Sequence, residues 1–113
     1  MKRNTAQLKE QLIQTGIDEI GKHGIEQLSL RTVAKACGVT HGSPYRHFES
    51  KEGYLKVVLT QLSLFLNQEI NENIDATGSA RDQLTRLGLN FIIFAKTYPH
   101  FFEALFIKFP FKY

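Results

Sequence analysis

The chain is poor in the residues and segments that mark secreted and membrane proteins. Its single cysteine, Cys37, excludes a disulfide within the chain and suits a reducing compartment. No apolar run approaches the ~18 residues that a membrane-spanning helix needs. The first residues, MKRNTAQLKE, are not followed by the apolar core of a signal peptide. These absences predict a cytoplasmic protein that is not held in a membrane.

Patterns typical of catalytic and metal sites are also missing. There is no glycine-rich phosphate loop and no paired-carboxylate pattern. Cys37, His41 and His47 are close in sequence, but structural zinc takes four ligands and the chain has no second cysteine. A thiol–imidazole pair would lack the third residue that orients the base. We therefore expect no enzymatic activity, no metal and no cofactor, and we expect Cys37 to be a small buried apolar side chain.

What the chain does have is helical periodicity. Apolar residues recur at spacings of three and four in the first segment, which predicts an amphipathic helix from about Ala6 to His23, ended by Gly24. No alternating strand pattern is evident. The predicted fold class is all-α: a three-helix bundle with a helix-turn-helix, then a long connecting helix and the start of a helical regulatory domain.

The helix-turn-helix is predicted from caps and glycine. Ser29 can cap a helix whose apolar stripe includes Leu30 and Val33, and Gly38 can end that helix in a left-handed conformation. Thr40 can cap the next helix, predicted from about His41 to His47. Ser50 then caps a long fourth helix. A unit of this kind places its second helix in the major groove of DNA.

The order of these residues resembles the DNA-binding domain of the tetracycline-repressor (TetR) family of bacterial regulators. The resemblance covers about residues 8 to 66. It is carried by a helix ending in glycine, a capped Leu-x-x-Val-Ala helix, Gly-Val-Thr, Tyr-x-His-Phe and Ser-Lys-Glu, at Gly24, Ser29, Leu30, Val33, Ala34, Gly38, Val39, Thr40, Tyr45, His47, Phe48, Ser50, Lys51 and Glu52.

The resemblance implies a set of DNA contacts. Tyr45, His47 and Lys51 look like the family's phosphate clamps, and the start of the third helix looks like the surface that reads base edges. Hydrogen bonds to phosphate position a protein, whereas contacts to base edges specify sequence. Between Arg31 and Lys51 there are four Lys or Arg and one acid, which suits an anionic partner. The candidate DNA-binding residues are Ser29, Arg31, Thr40, His41, Gly42, Ser43, Pro44, Tyr45, His47 and Lys51.

The remaining residues predict a connector and part of a second domain. We assign residues 1–52 to the head, 53–74 to the connecting helix and 75–113 to a partial regulatory or dimerisation region. A fifth helix, capped by Ser79, is expected to bury one face. Pro99 is expected to end this helix or to begin a sixth helical segment. That expected face consists of Leu84, Leu87, Gly88, Phe91, Ile92 and Ala95.

The aromatic residues of this region suggest two roles. Five of the nine phenylalanines lie after Pro99, and the second domain begins in this segment without finishing, so an exposed apolar tail is expected. An apolar pocket for a small effector is the other role, with core packing as the ordinary alternative for each ring. The rings concerned are Phe65, Phe91, Phe94, Tyr98, Phe101, Phe102 and Phe106.

The sequence therefore predicts a sequence-specific DNA-binding regulator. The resemblance implies a repressor that acts as a homodimer on a palindromic double-stranded operator and responds to a small apolar effector. Two rivals remain open. One is a helical protein-interaction module whose aromatic tail, residues 98–113, docks a partner. The other is a truncated regulator that heterodimerises through that tail and binds DNA weakly.

Overall fold

A computed structural model describes residues 4–111, and the predicted chain ends, residues 1–3 and 112–113, lie outside the described residues. The described part contains helices and connecting turns, without a strand. The α-helices are α1 (Thr5–His23), α2 (Leu30–Ala36), α3 (Ser43–Phe48), α4 (Lys51–Ile70), α5 (Ala80–Thr97) and α6 (Pro99–Phe102). A 3-10 turn (Ile25–Gln27) joins α1 to α2, and a π-helical turn (Glu103–Ile107) follows α6. The all-α prediction is confirmed.

Capping side chains set the start of most of the longer helices. Asn4 begins α1 with a reciprocal capping box, in which its Oδ1 accepts from the Gln7 N–H at 2.7 Å and Gln7 Oε1 accepts from the Asn4 N–H at 3.1 Å. The predicted caps Ser29, Ser50 and Ser79 each accept a backbone N–H three residues on. The starts of α2, α4 and α5 therefore followed from local chemistry, and α1 begins one residue before its predicted start.

The core lies where α1, α2, α3 and the first half of α4 meet. Most of its members are aliphatic side chains brought together by the 3.6-residue periodicity of these helices. Two residues of the π-helical turn, Ala104 and Leu105, also belong to it, so the C-terminal segment closes one side of the core. Its most deeply buried apolar side chains are Leu12, Ile20, Val33, Tyr54, Val58 and Leu62.

Helices α1 and α4 approach each other closely at Gly16. The Tyr54 ring lies against Gly16, and its Oη donates a hydrogen bond of 2.5 Å to the Leu12 carbonyl oxygen. A Cβ added at Gly16 would overlap the phenol oxygen. Burial raises the pKa of the Tyr54 phenol well above its ordinary value, because the charged phenolate would lose its hydration.

Helix α5 buries its predicted face only in part. Asn90 and Phe94 are its buried residues, Leu87, Phe91 and Ala95 of the predicted face are half-buried, and Leu84, Gly88 and Ile92 are exposed. The reason is a polar contact: Asn90 Nδ2 donates to the carbonyl oxygens of Ile70 at 2.9 Å and Glu72 at 2.7 Å. These carbonyls are left without intrahelical partners where α4 ends. The prediction of an entirely apolar buried face was wrong because an asparagine faces the end of α4.

The aromatic tail is largely packed within the chain. Phe101, Phe109 and Phe111 are half-buried against the core, and Lys108 Nζ lies 3.3 Å from Glu26 Oε1 in the connector after α1. Large exposed apolar side chains in the tail are Phe106 and Ile107 alone among residues 99–111. The expectation of a broadly exposed tail was therefore wrong, since α1 and α4 supply the cover.

The seven rings expected around an effector pocket pack against one another instead. Phe65, Phe94, Tyr98 and Phe101 form one cluster, with ring centroids 5.1–6.2 Å apart in each contact. Phe91, Phe102 and Phe106 form a second, with centroids 5.0–6.5 Å apart. These distances are those of aromatic core contacts, so the rings fill space between helices.

Candidate DNA interface

The turn after α2 has the geometry that ends a helix sharply. Gly38 has φ +71°, its N–H donates to Lys35 O at 3.1 Å, and the Val39 N–H donates to Ala34 O at 3.0 Å. This pair of bonds is a Schellman motif, in which a left-handed residue satisfies the last carbonyls of the helix. Val39 then packs, half-buried, against the core. The predicted role of Gly38 is confirmed.

The third helix begins later than predicted. It starts at Ser43, and Thr40, His41 and Gly42 form an exposed turn before it. Thr40 does not cap the helix through its hydroxyl. Its backbone carbonyl accepts the Ser43 N–H at 3.0 Å, and Gly42 occupies the cap position without a side-chain bond. The predicted start at His41 was wrong because a backbone turn, closed by Thr40 O, precedes the helix.

This later start changes which residues of α3 reach the surface. Ser43 is only 3% exposed and Pro44 is fully buried, since the first turn of α3 faces inward against its neighbouring helices. Ser43 and Pro44 are among the candidate DNA-binding residues, but their burial keeps both side chains from the surface that a groove could meet. Tyr45, by contrast, is 48% exposed. The polar surface here consists of the turn at residues 40–42 and the outward side of α3.

Several other predicted contact residues of the helix-turn-helix region are accessible to solvent. Arg31 and Lys51 are exposed in the first turns of α2 and α4, and Ser29 and His47 are half-exposed. The Ser29 hydroxyl oxygen already accepts the Thr32 N–H at 3.3 Å, so its own proton remains to be donated. We call Ser29, Arg31, Thr40, His41, Gly42, Tyr45, His47 and Lys51 the head surface.

Aromatic packing holds the end of α3 in place. Phe48 is 6% exposed and meets Tyr54 edge to face, with centroids 5.1 Å apart, while the His47 and Phe48 ring centroids are 6.2 Å apart. Phe48 therefore belongs to the core. Phe48, the residue after His47, is fixed in the core. The His47 imidazole is therefore attached next to a fixed backbone position.

The charges around the head surface favour an anion. Arg31, Lys35, Arg46 and Lys51 are exposed, and none of the ion pairs found between residues 4 and 111 involves them. Exposed cations without an ion-pair partner attract phosphate and lose little by doing so, because they break no existing pair. Cys37 is buried, 3.3 Å from the Thr15 hydroxyl, as predicted for a small apolar side chain.

Two features near this surface were not predicted from the sequence. Lys9 Nζ lies 5.6 Å from the Phe48 ring centroid, which places a cation of α1 beside α3 although 39 positions separate the two residues. Glu49 ends α3 with φ +68°, a conformation that costs a residue with a Cβ about 1–2 kcal/mol. No local sequence signal identifies either feature, since both depend on tertiary packing.

The structure is that of a helix-turn-helix protein. The exposed Lys and Arg side chains of this region make no ion pair among residues 4–111. Residues 12–58 match the sequence profile of the family described as bacterial regulatory proteins, tetR family. Over these residues the chain is similar to that family. The description is one of regulatory proteins, which agrees with the regulator that the sequence predicts.

Individual relatives agree with this assignment. A probable acrEF/envCD operon repressor from Escherichia coli (strain K12) is 36% identical over 50 residues, which are 44% of this chain and 23% of that protein. The HTH-type transcriptional repressor KstR2 from Mycolicibacterium smegmatis is 28% identical over 82 residues, 73% of this chain and 40% of that protein. The matched region thus spans less than half the length of either curated relative.

A solved structure shows the same fold. A TetR-family transcriptional regulator from Haemophilus influenzae superposes with a TM-score of 0.62 at 22% identity, covering 87% of this chain and 54% of the other.

Among residues 4–111, no helix is long and apolar enough to cross a membrane. In the same residues, no three His, Cys, Asp or Glu side chains are grouped as metal ligands would be.

Proposed function

We propose that the chain is a DNA-binding transcriptional repressor whose head surface contacts an operator in the cytoplasm. The observation that carries this proposal is the combination of a Schellman-ended helix-turn-helix with four exposed, unpaired cations around it. Thr40, His41 and Gly42 lie in the turn that leads into α3, so they are the candidates for base-edge contact. Tyr45, His47, Lys51, Arg31 and Ser29 are the candidates for phosphate contact, which supplies most of the affinity.

The experiment is selection of genomic DNA fragments at low salt, followed by affinity measurements on the enriched sequence. Binding through several phosphates should weaken by orders of magnitude between about 50 and 200 mM salt. Lys51→Ala should weaken binding to all sequences alike and reduce the slope of log K against log salt by roughly 0.9. The matched control is Lys96→Ala, an exposed lysine on α5 away from the head surface.

Two further variants separate phosphate clamps from residues that read sequence. Tyr45→Phe keeps the ring and removes only the hydroxyl, so it should weaken binding uniformly. His41→Ala should instead change which sequence is enriched, because base-edge contacts carry the sequence information. If no fragment is retained at low salt, or if Lys51→Ala and Lys96→Ala behave alike, the head surface does not bind DNA as proposed.

We further propose that two copies act together on a palindromic operator. Two heads must meet successive major grooves, about 34–36 Å or a multiple of that distance apart. The support in this chain is the exposed apolar side of α5, which carries Leu89, Ile92 and Ile93 and would gain by being covered. An inverted repeat should therefore bind two chains cooperatively, and Ile92→Arg should abolish that cooperativity while a single half-site still binds one chain with unchanged affinity.

A further inference from the structure

A strained two-residue link, Glu49 and Ser50, joins α3 to α4. Glu49 has φ +68° and ψ −38°, in the left-handed region that favours glycine. The Ser50 N–H donates to the Phe48 carbonyl oxygen at 2.8 Å, two residues back, so the link is a γ-turn of the rare and strained kind. The chain therefore passes from α3 into α4 within a three-residue turn.

The carbonyl oxygen that closes this turn also lies against the first turn of α4. A Cβ built on Gly53 would overlap the Phe48 carbonyl oxygen, so a larger residue at position 53 must move α3 and α4 apart. The first turn of α4 is itself fixed, because the Gly53 N–H donates to Ser50 Oγ at 3.0 Å and the Tyr54 N–H donates to Ser50 O at 3.1 Å. The absence of a side chain at Gly53 therefore permits the close approach of the two helices.

The side chain of Phe48 fixes the same junction from the core. Its ring is 6% exposed and meets the Tyr54 ring edge to face, with centroids 5.1 Å apart. Tyr54 is fully buried, and its hydroxyl donates to the Leu12 carbonyl oxygen of α1. Phe48 thus holds α3 against α4 through both its main chain and its side chain, and Tyr54 connects this contact to α1.

The junction separates two candidate phosphate contacts. His47 lies in the last turn of α3 and Lys51 in the first turn of α4, and both side chains reach solvent. Phosphates follow one another along a DNA strand at a regular spacing, so groups on two helices contact them together only when the distance between the helices suits that spacing. A junction that holds this distance in the free protein lowers the ordering cost of binding.

We propose that Gly53 is a positioning residue for DNA binding. By letting the Phe48 carbonyl lie against α4, it sets the placement of α3 relative to α4 and so the spacing between His47 and Lys51. Gly53 has no side chain to offer DNA, so it acts only through these two residues. Its effect on binding rests on the proposed DNA-binding function, whereas the placement of α3 is a property of the free chain.

The test begins with Gly53→Ala in the full chain. Residual dipolar couplings of backbone amides should show α3 turned relative to α1 and α4. Affinity for one half-site of the enriched sequence should fall roughly tenfold, the effect of losing one good contact. Affinity for unrelated DNA should stay within about twofold, since non-specific binding depends on charge. Gly88→Ala, at a helical glycine with no atom within 4 Å of the added Cβ, is the matched control and should leave all three measurements unchanged.

Glu49→Gly separates positioning from stability. It should raise the urea midpoint of unfolding, because glycine adopts a positive φ without a steric penalty. It should nevertheless lower half-site affinity severalfold, since the freed turn no longer holds α3 in one placement. In the double variant with Gly53→Ala, the freed turn should accept the added methyl group, so the urea midpoint should recover while half-site affinity stays low.

The proposal is overturned if the couplings of Gly53→Ala match those of wild type, or if α3 turns and half-site affinity is unchanged. It is also overturned if the double variant regains affinity together with stability, because a glycine needed only for packing would give that result. Failure of the proposed function has a different signature: wild type retains no DNA at low salt, although the couplings still show α3 turned in Gly53→Ala. The DNA-binding role of Gly53 then fails with that function, and the packing at Phe48 stands.

Discussion

Helices α1 and α5 are nearly equal in length, with 19 and 18 residues, and similarly amphipathic in sequence, yet they are buried very differently. α1 buries Leu12, Ile13, Gly16 and Ile20 and has no large apolar side chain among the strongly exposed ones. α5 buries one aromatic residue and one asparagine. Its large exposed apolar side chains are Leu84, Leu89, Ile92 and Ile93, between 45% and 69% exposed.

The two helices differ in burial because they have different neighbours, not because their own sequences differ in amphipathicity. α1 is packed by α2, α3, α4 and α6, so every part of its apolar stripe finds a neighbour. α5 is packed chiefly by α4 and α6, which occupy one side of it. Amphipathicity predicts that a helix has a side to bury, but the neighbours decide how much of that side is buried. The following predictions compare the two helices directly, beginning with the largest effect.

The largest difference in the free energy of unfolding is expected when one leucine in each helix is truncated to alanine. Leu12 in α1 is fully buried and Leu84 in α5 is 69% exposed. Leu12→Ala removes buried methyl groups and leaves a cavity, which should lower the free energy of unfolding by about 2–5 kcal/mol. Leu84→Ala should change it by no more than about 0.5 kcal/mol. Urea unfolding followed by circular dichroism measures both values.

Equal losses from the two leucine variants would mean that α5 is covered in solution. Repeating the unfolding curves over a range of protein concentrations distinguishes the cause, because cover by a second copy makes stability depend on concentration. A concentration-dependent loss in Leu84→Ala alone would support association through α5 and would leave the interpretation of α1 unchanged.

The second prediction concerns the α1–α4 contact. Gly16→Ala would place a methyl group in the space of the Tyr54 hydroxyl, and forcing extra volume into a packed core costs about 1–3 kcal/mol. We expect that loss in urea unfolding. Tyr54→Phe removes the overlapping oxygen, so the double variant should lose less than the sum of the two single variants.

Strict additivity of the two changes would contradict this account of the contact. The added Cβ would still lie 2.9 Å from the Tyr54 ring carbon Cζ, so full recovery is not expected. Tyr54→Phe alone should cost roughly 1 kcal/mol, since it deletes the hydrogen bond to Leu12 O.

The third prediction tests the polar contact between α5 and the end of α4. Asn90→Ala leaves the Ile70 and Glu72 carbonyls without their shared donor, which should cost about 1–2 kcal/mol. The loss should be local, because α5 has few other buried groups, so amide hydrogen exchange should speed up at the end of α4 and along α5 before it does in α1. Gln68→Ala, an exposed polar residue on α4, is the control and should change neither.

Much of the head followed from local sequence, because its chemistry is local. Ser29, Ser50 and Gly38 act on backbone groups within three or four residues of themselves, so their spacing in the sequence fixes what they bond. The periodic stripe of α1 likewise predicted its buried side. Cys37 was predicted as a small buried apolar side chain, and it is buried.

The parts that sequence failed to predict depend on contacts between distant segments. Asn90 faces α4 because two carbonyls there lack partners, and a hydrophobic stripe gives no indication of that. Ser43 is buried because the turn at residues 40–42 delays the start of α3, and a serine in a polar run looks exposed. The aromatic tail was expected to be exposed. It packs instead against α1, about 80 residues earlier, and the sequence of the tail gives no indication of this contact.

The smallest predicted effect has the opposite sign from the Gly16 variant. Gly88 lies inside α5, and an added Cβ would have no atom within 4 Å. Gly88→Ala should therefore raise the free energy of unfolding by about 0.4–1 kcal/mol, because alanine loses less backbone entropy on folding and meets no clash. The same change of residue in two helices of similar length and amphipathicity should thus destabilise one and stabilise the other. A loss at Gly88 would show that another surface lies against α5 at this point, and its dependence on protein concentration would then distinguish a second copy of the chain from a contact within it.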